Sequence, residues 1–214
     1  MPFYQIELLG NKLGLKNPRE LAIQEEKITK RKAAELFNNP ILDKYATGSF
    51  AMLAFIHGFL FADIYDFAGK IREVNIAKGN FRFASAMYLA SSICEIEKMP
   101  QQTFEQILEK YVEMNILHPF REGNGRSMRI WLDLIFNTEL KQVVEWQKIS
   151  KEDYLLAMER SPVRDIEIKY LLKSAMTDKI DDFYTYSRGI DQSYLYENYC
   201  EFKLEELLKK DQKR

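Results

Sequence analysis

Between residues 102 and 136 two helical patterns meet at a break, and any fold the chain adopts must carry that break at its surface. Phe104, Ile107, Leu108, Tyr111, Val112 and Ile116 recur at three and four residues, which predicts a helix over 102–116 with one buried face. The apolar run Ile130-Trp131-Leu132-Asp133-Leu134-Ile135-Phe136 predicts a second helix, beginning at about Gly123. Between them stands His118-Pro119-Phe120-Arg121-Glu122-Gly123-Asn124-Gly125-Arg126-Ser127-Met128-Arg129. A proline pushes the residue before it away from the α region, so His118 is expected in extended backbone at the head of the loop.

That stretch suits a triphosphate. Glycines at 123 and 125 let the backbone approach a ligand, and the unpaired N–H groups of a helix start bind phosphate, helped by the macrodipole. Arg126 and Arg129, three apart, share a helix face and can each fork onto phosphate oxygens. Glu122 offers one hard oxygen ligand, enough for a magnesium ion held otherwise by substrate phosphates. His118 is left as the base. A zinc site using His118 and Glu122 at i,i+4 is the competing reading, but His57 is the only other histidine and no cysteine lies near either in sequence.

His118 to Arg129, HPFREGNGRSMR, resembles the full signature of the Fic (filamentation induced by cAMP) family. The resemblance implies a mainly α fold, a Fic-type helical bundle with one β-hairpin flap over the active site. It also implies a protein adenylyltransferase, which moves AMP from ATP to a Ser, Thr or Tyr hydroxyl of a target and releases pyrophosphate. Carried over by position, His118 would be the base, Glu122 the magnesium ligand and Asn124 an α-phosphate contact beside Gly123 and Gly125. Arg126 and Arg129 would hold the β- and γ-phosphates. A kinase-like or other group transfer on the same scaffold, and a non-catalytic ATP-binding regulator, are the alternatives.

At 214 residues with 46% hydrophobic content the chain is expected to form a single domain, with the Fic core at about 48–160. Thirty-one basic against 32 acidic residues leave a charge of -1, no footprint for direct nucleic-acid or membrane binding. Two cysteines, Cys94 and Cys200, make no disulfide framework, and no signal segment precedes Asn11, so a cytoplasmic location is expected. The run Phe50 to Phe61 falls short of the roughly 20 residues that span a bilayer.

Along the chain, Ile6-Glu7-Leu8-Leu9 suggests a short arm or strand. Asn17-Pro18 opens a helix that Asn38-Asn39-Pro40 stops, and its basic patch Lys27–Lys32 reads as a solvated face. A second helix is expected from Thr47-Gly48-Ser49 through Tyr65, with His57 a satisfied core histidine, ending at Gly69. Ile71–Ile76 and Phe81–Phe83 alternate around Lys78-Gly79-Asn80, a hairpin and the one strong strand signal. In Fic proteins this flap clamps the target segment by strand addition, and Ile76, Lys78 and Phe83 are the candidate contacts.

Further helices are expected over 85–97, over 150–160 with Ser150 as cap, from Ser161-Pro162 to about 175, and last from about Asp191, its cap, to Lys209. Ser193-Tyr194-Leu195-Tyr196-Glu197-Asn198 is similar to the inhibitory motif of Fic proteins, here in a C-terminal helix over about 190–209. Ser193 and Glu197 share a stripe with Cys200, Leu204 and Leu208, so Glu197 should point inward and need a cation, for which Arg129 is the candidate. Tyr194 and Tyr196, flanking the motif, are candidate self-modification sites once the helix loosens. Some similar proteins modify bacterial topoisomerase subunits and some form homo-oligomers, which the resemblance carries over as candidate partners.

Overall fold

Side-chain caps fix where most helices begin. The structure, a computed structural model, describes residues 9–78 and 81–212. Helix α1 (Pro18–Leu36) starts where Asn17 accepts the N–H groups of Arg19 and Glu20, and α2 (Phe50–Phe61) where Ser49 caps Met52. A 3-10 turn at Ala86–Tyr88 leads into α3 (Leu89–Glu97). Helix α4 (Phe104–Leu117) opens with a capping box between Thr103 and Gln106, and α5 (Asn124–Leu140) follows the signature loop. Then come α6 (Lys151–Arg160), capped by Ser150, α7 (Ile166–Ser174), α8 (Phe183–Tyr196) and α9 (Leu204–Asp211).

Helix α5 lies at the centre, packed against α2, α4 and α8, with Met128, Trp131, Leu132, Ile135 and Phe136 wholly inside. Helix α1 crosses α2, α8 and α9 on the outside of that layer. No helix of the described residues is long and apolar enough to cross a membrane.

Several boundaries differ from the sequence reading. Helix α2 stops at Phe61, yet Ile64 and Tyr65 are buried in the turns beyond it, so the apolar stripe recorded burial rather than helix. The segment from Ser161 closes α6 as a turn, with Val163 and Arg164 donating to the Arg160 carbonyl, and α7 begins only at Ile166. The expected last helix is two helices. Asp182, not Asp191, caps the first of them, and Gly189 sits inside it because the Trp146 ring lies 3.0 Å from where a Cβ would stand. Asp191 is buried in mid-helix, pairs with Lys30 at 2.6 Å and caps α9 by accepting the Leu204 N–H at 3.1 Å.

Lys30 overturns the solvated-face reading of α1. Its ammonium is buried among Glu26, Asp191 and the Phe202 carbonyl, and Glu26 accepts the N–H groups of Glu201 and Phe202. A buried charge survives only when paired, and here the pairing ties α1 to both tail helices.

The hairpin is shorter than the alternation implied. Strand β1 (Ala77–Lys78) pairs antiparallel with β2 (Phe81–Arg82), and the Phe83 N–H reaches the Ile76 carbonyl at 3.3 Å. Residues 71–76 form no strand, and their facing is inverted: Arg72 is buried while Ile71 and Val74 are exposed. The Gly79-Asn80 turn and most of the expected N-terminal arm, residues 1–8, lie outside the described residues. A second ribbon, β3 (Val143–Val144) with β4 (Met176–Thr177), was not expected, two residues being too short for a periodic signal.

Candidate active site

The loop joining α4 to α5 is held from three sides. His118 does not adopt the extended geometry expected before a proline; it is a left-handed C-cap, φ 49°, ψ 64°, whose N–H bonds the Met114 carbonyl at 3.0 Å. The reason is Arg72. Its guanidinium donates to the carbonyls of His118 (2.8 Å), Leu117 (3.1 Å), Val74 (2.6 Å) and Ala84 (2.5 Å), and its backbone N–H to that of Pro119 (2.8 Å). Pro119 disfavours the right-handed α region, and the clamped carbonyls leave the left-handed turn.

The His118 ring stacks on Phe83 of the hairpin, centroids 3.7 Å apart, with Nδ1 3.2 Å from the Asn115 carbonyl. A carbonyl can only accept, so Nδ1 carries the proton and Nε2 keeps its lone pair. Burial beneath the hairpin pushes the ring pKa down to about 3, and the imidazole is neutral at physiological pH.

His57 supports the same loop from α2. It accepts the Gly69 N–H on Nδ1 at 2.8 Å, so Nε2 bears the proton and donates to the Glu122 carbonyl at 2.7 Å. This is the satisfied core histidine expected, and burial lowers its pKa to about 4. Gly123 turns at φ 78° with the Phe61 ring 2.5 Å from where a Cβ would stand, so only glycine fits. The Asn124 side chain accepts from the Phe120 N–H at 2.8 Å and donates to its carbonyl at 2.7 Å. It staples the loop with one amide hydrogen and its carbonyl oxygen, leaving the second amide hydrogen beside the first-turn N–H groups that α5 offers the cleft at Asn124 and Gly125.

The two arginines part. Arg129 lines the cleft with His118, Glu122, Gly123 and Gly125, but Arg126 does not. Arg126 is buried behind Glu122, ion-paired with Glu25 of α1, bonded to the Tyr199 hydroxyl at 3.1 Å and to Glu122 Oε1 at 3.1 Å, and backed by the Phe61 ring. The common face expected from three-residue spacing therefore breaks down: α1 supplies a carboxylate that takes the first guanidinium. On the opposite wall Ile76, Lys78 and Phe83 all line the cleft.

Residues 49–136 match the Fic/DOC family profile, which spans the signature and both helices that flank it. Over those residues the chain is similar to the Fic/DOC family. A curated relative in Salmonella typhimurium, named probable protein adenylyltransferase Fic, is 26% identical over 185 residues, covering 81% of this chain and 90% of the relative. Protein adenylyltransferase VbhT of Bartonella schoenbuchensis is 29% identical over 199 residues, 87% of this chain but 40% of that longer protein. Among solved structures, BepC of Bartonella tribocorum, with bound AMPPNP, superposes with a TM-score of 0.67 at 19% identity, covering 82% of this chain and 95% of that one. The mainly α bundle with a hairpin over the cleft is the Fic fold.

The Fic signature meets the tail at Arg129. Its Nε donates to Ser193 Oγ at 2.6 Å and a terminal nitrogen to the Ser193 carbonyl at 3.2 Å, whereas Glu197 Oε1 stands 4.0 Å away. Glu197 is closer to Lys78 of the hairpin, 3.2 Å. Burial alone would raise the Glu197 carboxyl, but the charges of Lys78, Arg126 and Arg129 outweigh it and hold it below the usual range. Asn198 turns at φ 73° to end α8, a conformation that favours glycine and asparagine. The continuous stripe from Ser193 to Leu208 does not exist, because the chain leaves the helix after Tyr196 and re-enters at Leu204.

Tyr194 and Tyr196 are both buried while the tail is docked. The Tyr194 hydroxyl bonds Thr29, and that of Tyr196 the carbonyls of Trp146 and Ile149 at 3.2 and 3.1 Å. Sequence reasoning missed Arg72, Glu25 and Tyr199. Glu25 had a signal: it stands four residues from Leu21 and from Thr29 on the stripe that continues through Ala33 to Leu36, where a carboxylate needs a partner.

Proposed function

We propose that this Fic protein is a protein adenylyltransferase that moves AMP from ATP to a Ser, Thr or Tyr hydroxyl of a target protein and is restrained by its own tail. The observation that carries the reading is the His118 tautomer: a neutral imidazole with Nε2 free, beside the helix start that receives phosphate. The target oxygen attacks the α-phosphorus, the bond from that phosphorus to the bridging oxygen breaks, pyrophosphate leaves, and the hydroxyl proton passes to His118 Nε2. The first-turn N–H groups of α5 and Arg129 hold the phosphates in line.

The donor set fits magnesium. Glu122 opens onto the cleft with Oε1 fixed by the Gly123 N–H at 2.9 Å and by Arg126, and the described residues hold no cluster of three or more metal-ligating side chains. One carboxylate plus substrate phosphates is how magnesium is usually bound, and the ion would neutralise charge on the departing pyrophosphate. Glu122 would hold it.

The target would enter as an extended segment along the β1–β2 edge, with Ile76, Lys78 and Phe83 beneath it. Main-chain pairing of that kind places a hydroxyl while asking little of the surrounding sequence. The tail would restrain the reaction by taking Arg129 through Ser193 and Glu197 and by holding Lys78 through Glu197, so one carboxylate closes on both the phosphate side and the target side of the cleft. Cys94 and Cys200 are free thiols, which suits a reducing cytoplasm as the compartment.

Incubation with ATP labelled at the α- or the γ-phosphate, run in parallel, tests the chemistry. Label from the α-position alone should appear on protein, and γ-label on protein would make the chain a kinase.

A further inference from the structure

Arg126 belongs to the signature, yet the transfer does not explain its position. Its guanidinium is buried between two carboxylates, Glu25 on α1 and Glu122 at the cleft. Glu25 is itself buried, and its second oxygen accepts the Tyr65 hydroxyl. The Tyr199 hydroxyl, 3.1 Å from both Arg126 and Glu25 Oε1, seals the other side. Arg126 Nε is the single buried side-chain polar atom among the described residues without a partner. An orphaned donor is tolerated where the group is kept for what its other atoms do. Those atoms, the two terminal nitrogens, run from Glu25 to Glu122.

We propose that Glu25 is a positioning residue for the metal-binding carboxylate, acting through Arg126; the inference rests on Glu122 being the magnesium ligand. Arg126 fixes Glu122 Oε1 from behind, so the carboxylate can turn its other oxygen to a cation in the cleft. An arginine alone would do this badly, because an uncompensated guanidinium beside a metal ligand repels the cation and draws the whole carboxylate to itself. Glu25 removes both faults. It takes the guanidinium's charge at the far nitrogen, leaving the near one as a hydrogen-bond donor that orients Glu122 without claiming it. Partners of this outer kind fix ligand orientation, and losing one typically costs about 10- to 100-fold in metal affinity.

The test is Mn2+ binding, followed by electron paramagnetic resonance on the full chain saturated with AMPPNP, which reads the metal and not turnover. Glu25→Gln should weaken Mn2+ binding about 10- to 100-fold. Tyr65→Phe, which keeps the Glu25 carboxylate but frees one of its oxygens, should weaken it less and in the same direction. Glu25→Asp should recover part of the loss. Glu26→Gln removes the neighbouring buried carboxylate, which belongs to the Lys30 cluster, and should leave Mn2+ affinity unchanged while lowering the unfolding temperature. Wild-type Mn2+ affinity in Tyr65→Phe and in a folded Glu25→Gln would overturn the proposal, and if Glu25→Gln does not fold, wild-type affinity in Tyr65→Phe alone does so. Glu122→Gln separates the two readings. If it loses Mn2+ while the Glu25 and Tyr65 variants do not, Glu122 is the ligand and only the positioning role fails; if it binds as wild type, the metal assignment falls and the inference with it.

Discussion

Replacing Arg72 with methionine should damage both stability and catalysis, and the structure gives the scale. The guanidinium satisfies four carbonyls, of which those of Leu117 and His118 close the C-terminus of α4, where no helical N–H follows to bond them. The carbonyls of Val74 and Ala84 belong to an exposed and a half-buried residue and can turn to water, so the loss falls mainly on the first two. A hydrogen bond to a charged donor is worth about 1.5–3 kcal/mol net, so two give about 3–6 kcal/mol, a large share of the roughly 5–15 kcal/mol that holds a domain folded. Urea unfolding of Arg72→Met against wild type measures this as a fall in midpoint. The same change frees the left-handed backbone of His118, so turnover in AMP incorporation should drop further than nucleotide affinity does. Arg72→Lys should rescue little, since an ammonium is one point on a flexible stem and cannot span carbonyls on both sides of the loop. A midpoint within about 0.5 kcal/mol of wild type, the range of an ordinary surface change, together with unaltered turnover would refute the clamp.

Further expectations concern the base, the tail and acid stability. His118→Ala should lower AMP transfer by about 10²- to 10⁴-fold while AMPPNP binding measured by calorimetry persists; loss of nucleotide binding with turnover retained would reverse the assignment. Glu197→Gly should raise α-labelled incorporation, and so should Ser193→Ala, because Ser193 makes the shortest contact to Arg129. Loss of one charged hydrogen bond, about 1.5–3 kcal/mol, corresponds to a rise of about 10- to 100-fold, and rates equal to wild type in both variants would end the inhibitory reading. His57 is wholly buried and takes up its second proton only below about pH 4, against 6.5 when free, so the unfolded chain binds more protons across that interval. Its stabilisation is whole above pH 6.5 and falls by about 3 kcal/mol as the pH drops toward 4, a fall that His57→Gln should lack in urea unfolding compared at pH 7 and pH 4.5.

Much of the molecule was legible in the chain. The helices α1 and α6 begin where Asn17 and Ser150 said they would, because capping is a local hydrogen bond between a side chain and backbone two or three residues away, and α5 begins just after Gly123, whose left-handed turn needs glycine. The signature was readable for the same reason. Glycine at 123 and the spacing of His118, Glu122 and Arg129 act within one loop and two helical turns, and the cleft assembles those three side chains as expected. The tail was half legible: the motif placed Glu197 near Arg129, but helix periodicity could not see that Ser193 would make the closer contact, or that Asp191 would be drawn to Lys30 and would cap a separate helix, α9.

What the tertiary structure alone decided is the fate of buried charge. Arg72 lies in a segment whose alternation of apolar and polar residues pointed it outward, and it turned inward because the end of α4 presents carbonyls that need a donor. Arg126 has the same spacing in the signature as any phosphate-binding arginine, and it left the cleft because Glu25, 101 residues earlier, sits buried beside it. Lys30 went to the interior for Glu26 and Asp191. Local sequence sets backbone geometry, since the groups involved are neighbours along the chain. Where a charged side chain points is set by the cost of leaving a buried charge or carbonyl unpaired, and its partner is brought there only by the packing of distant helices.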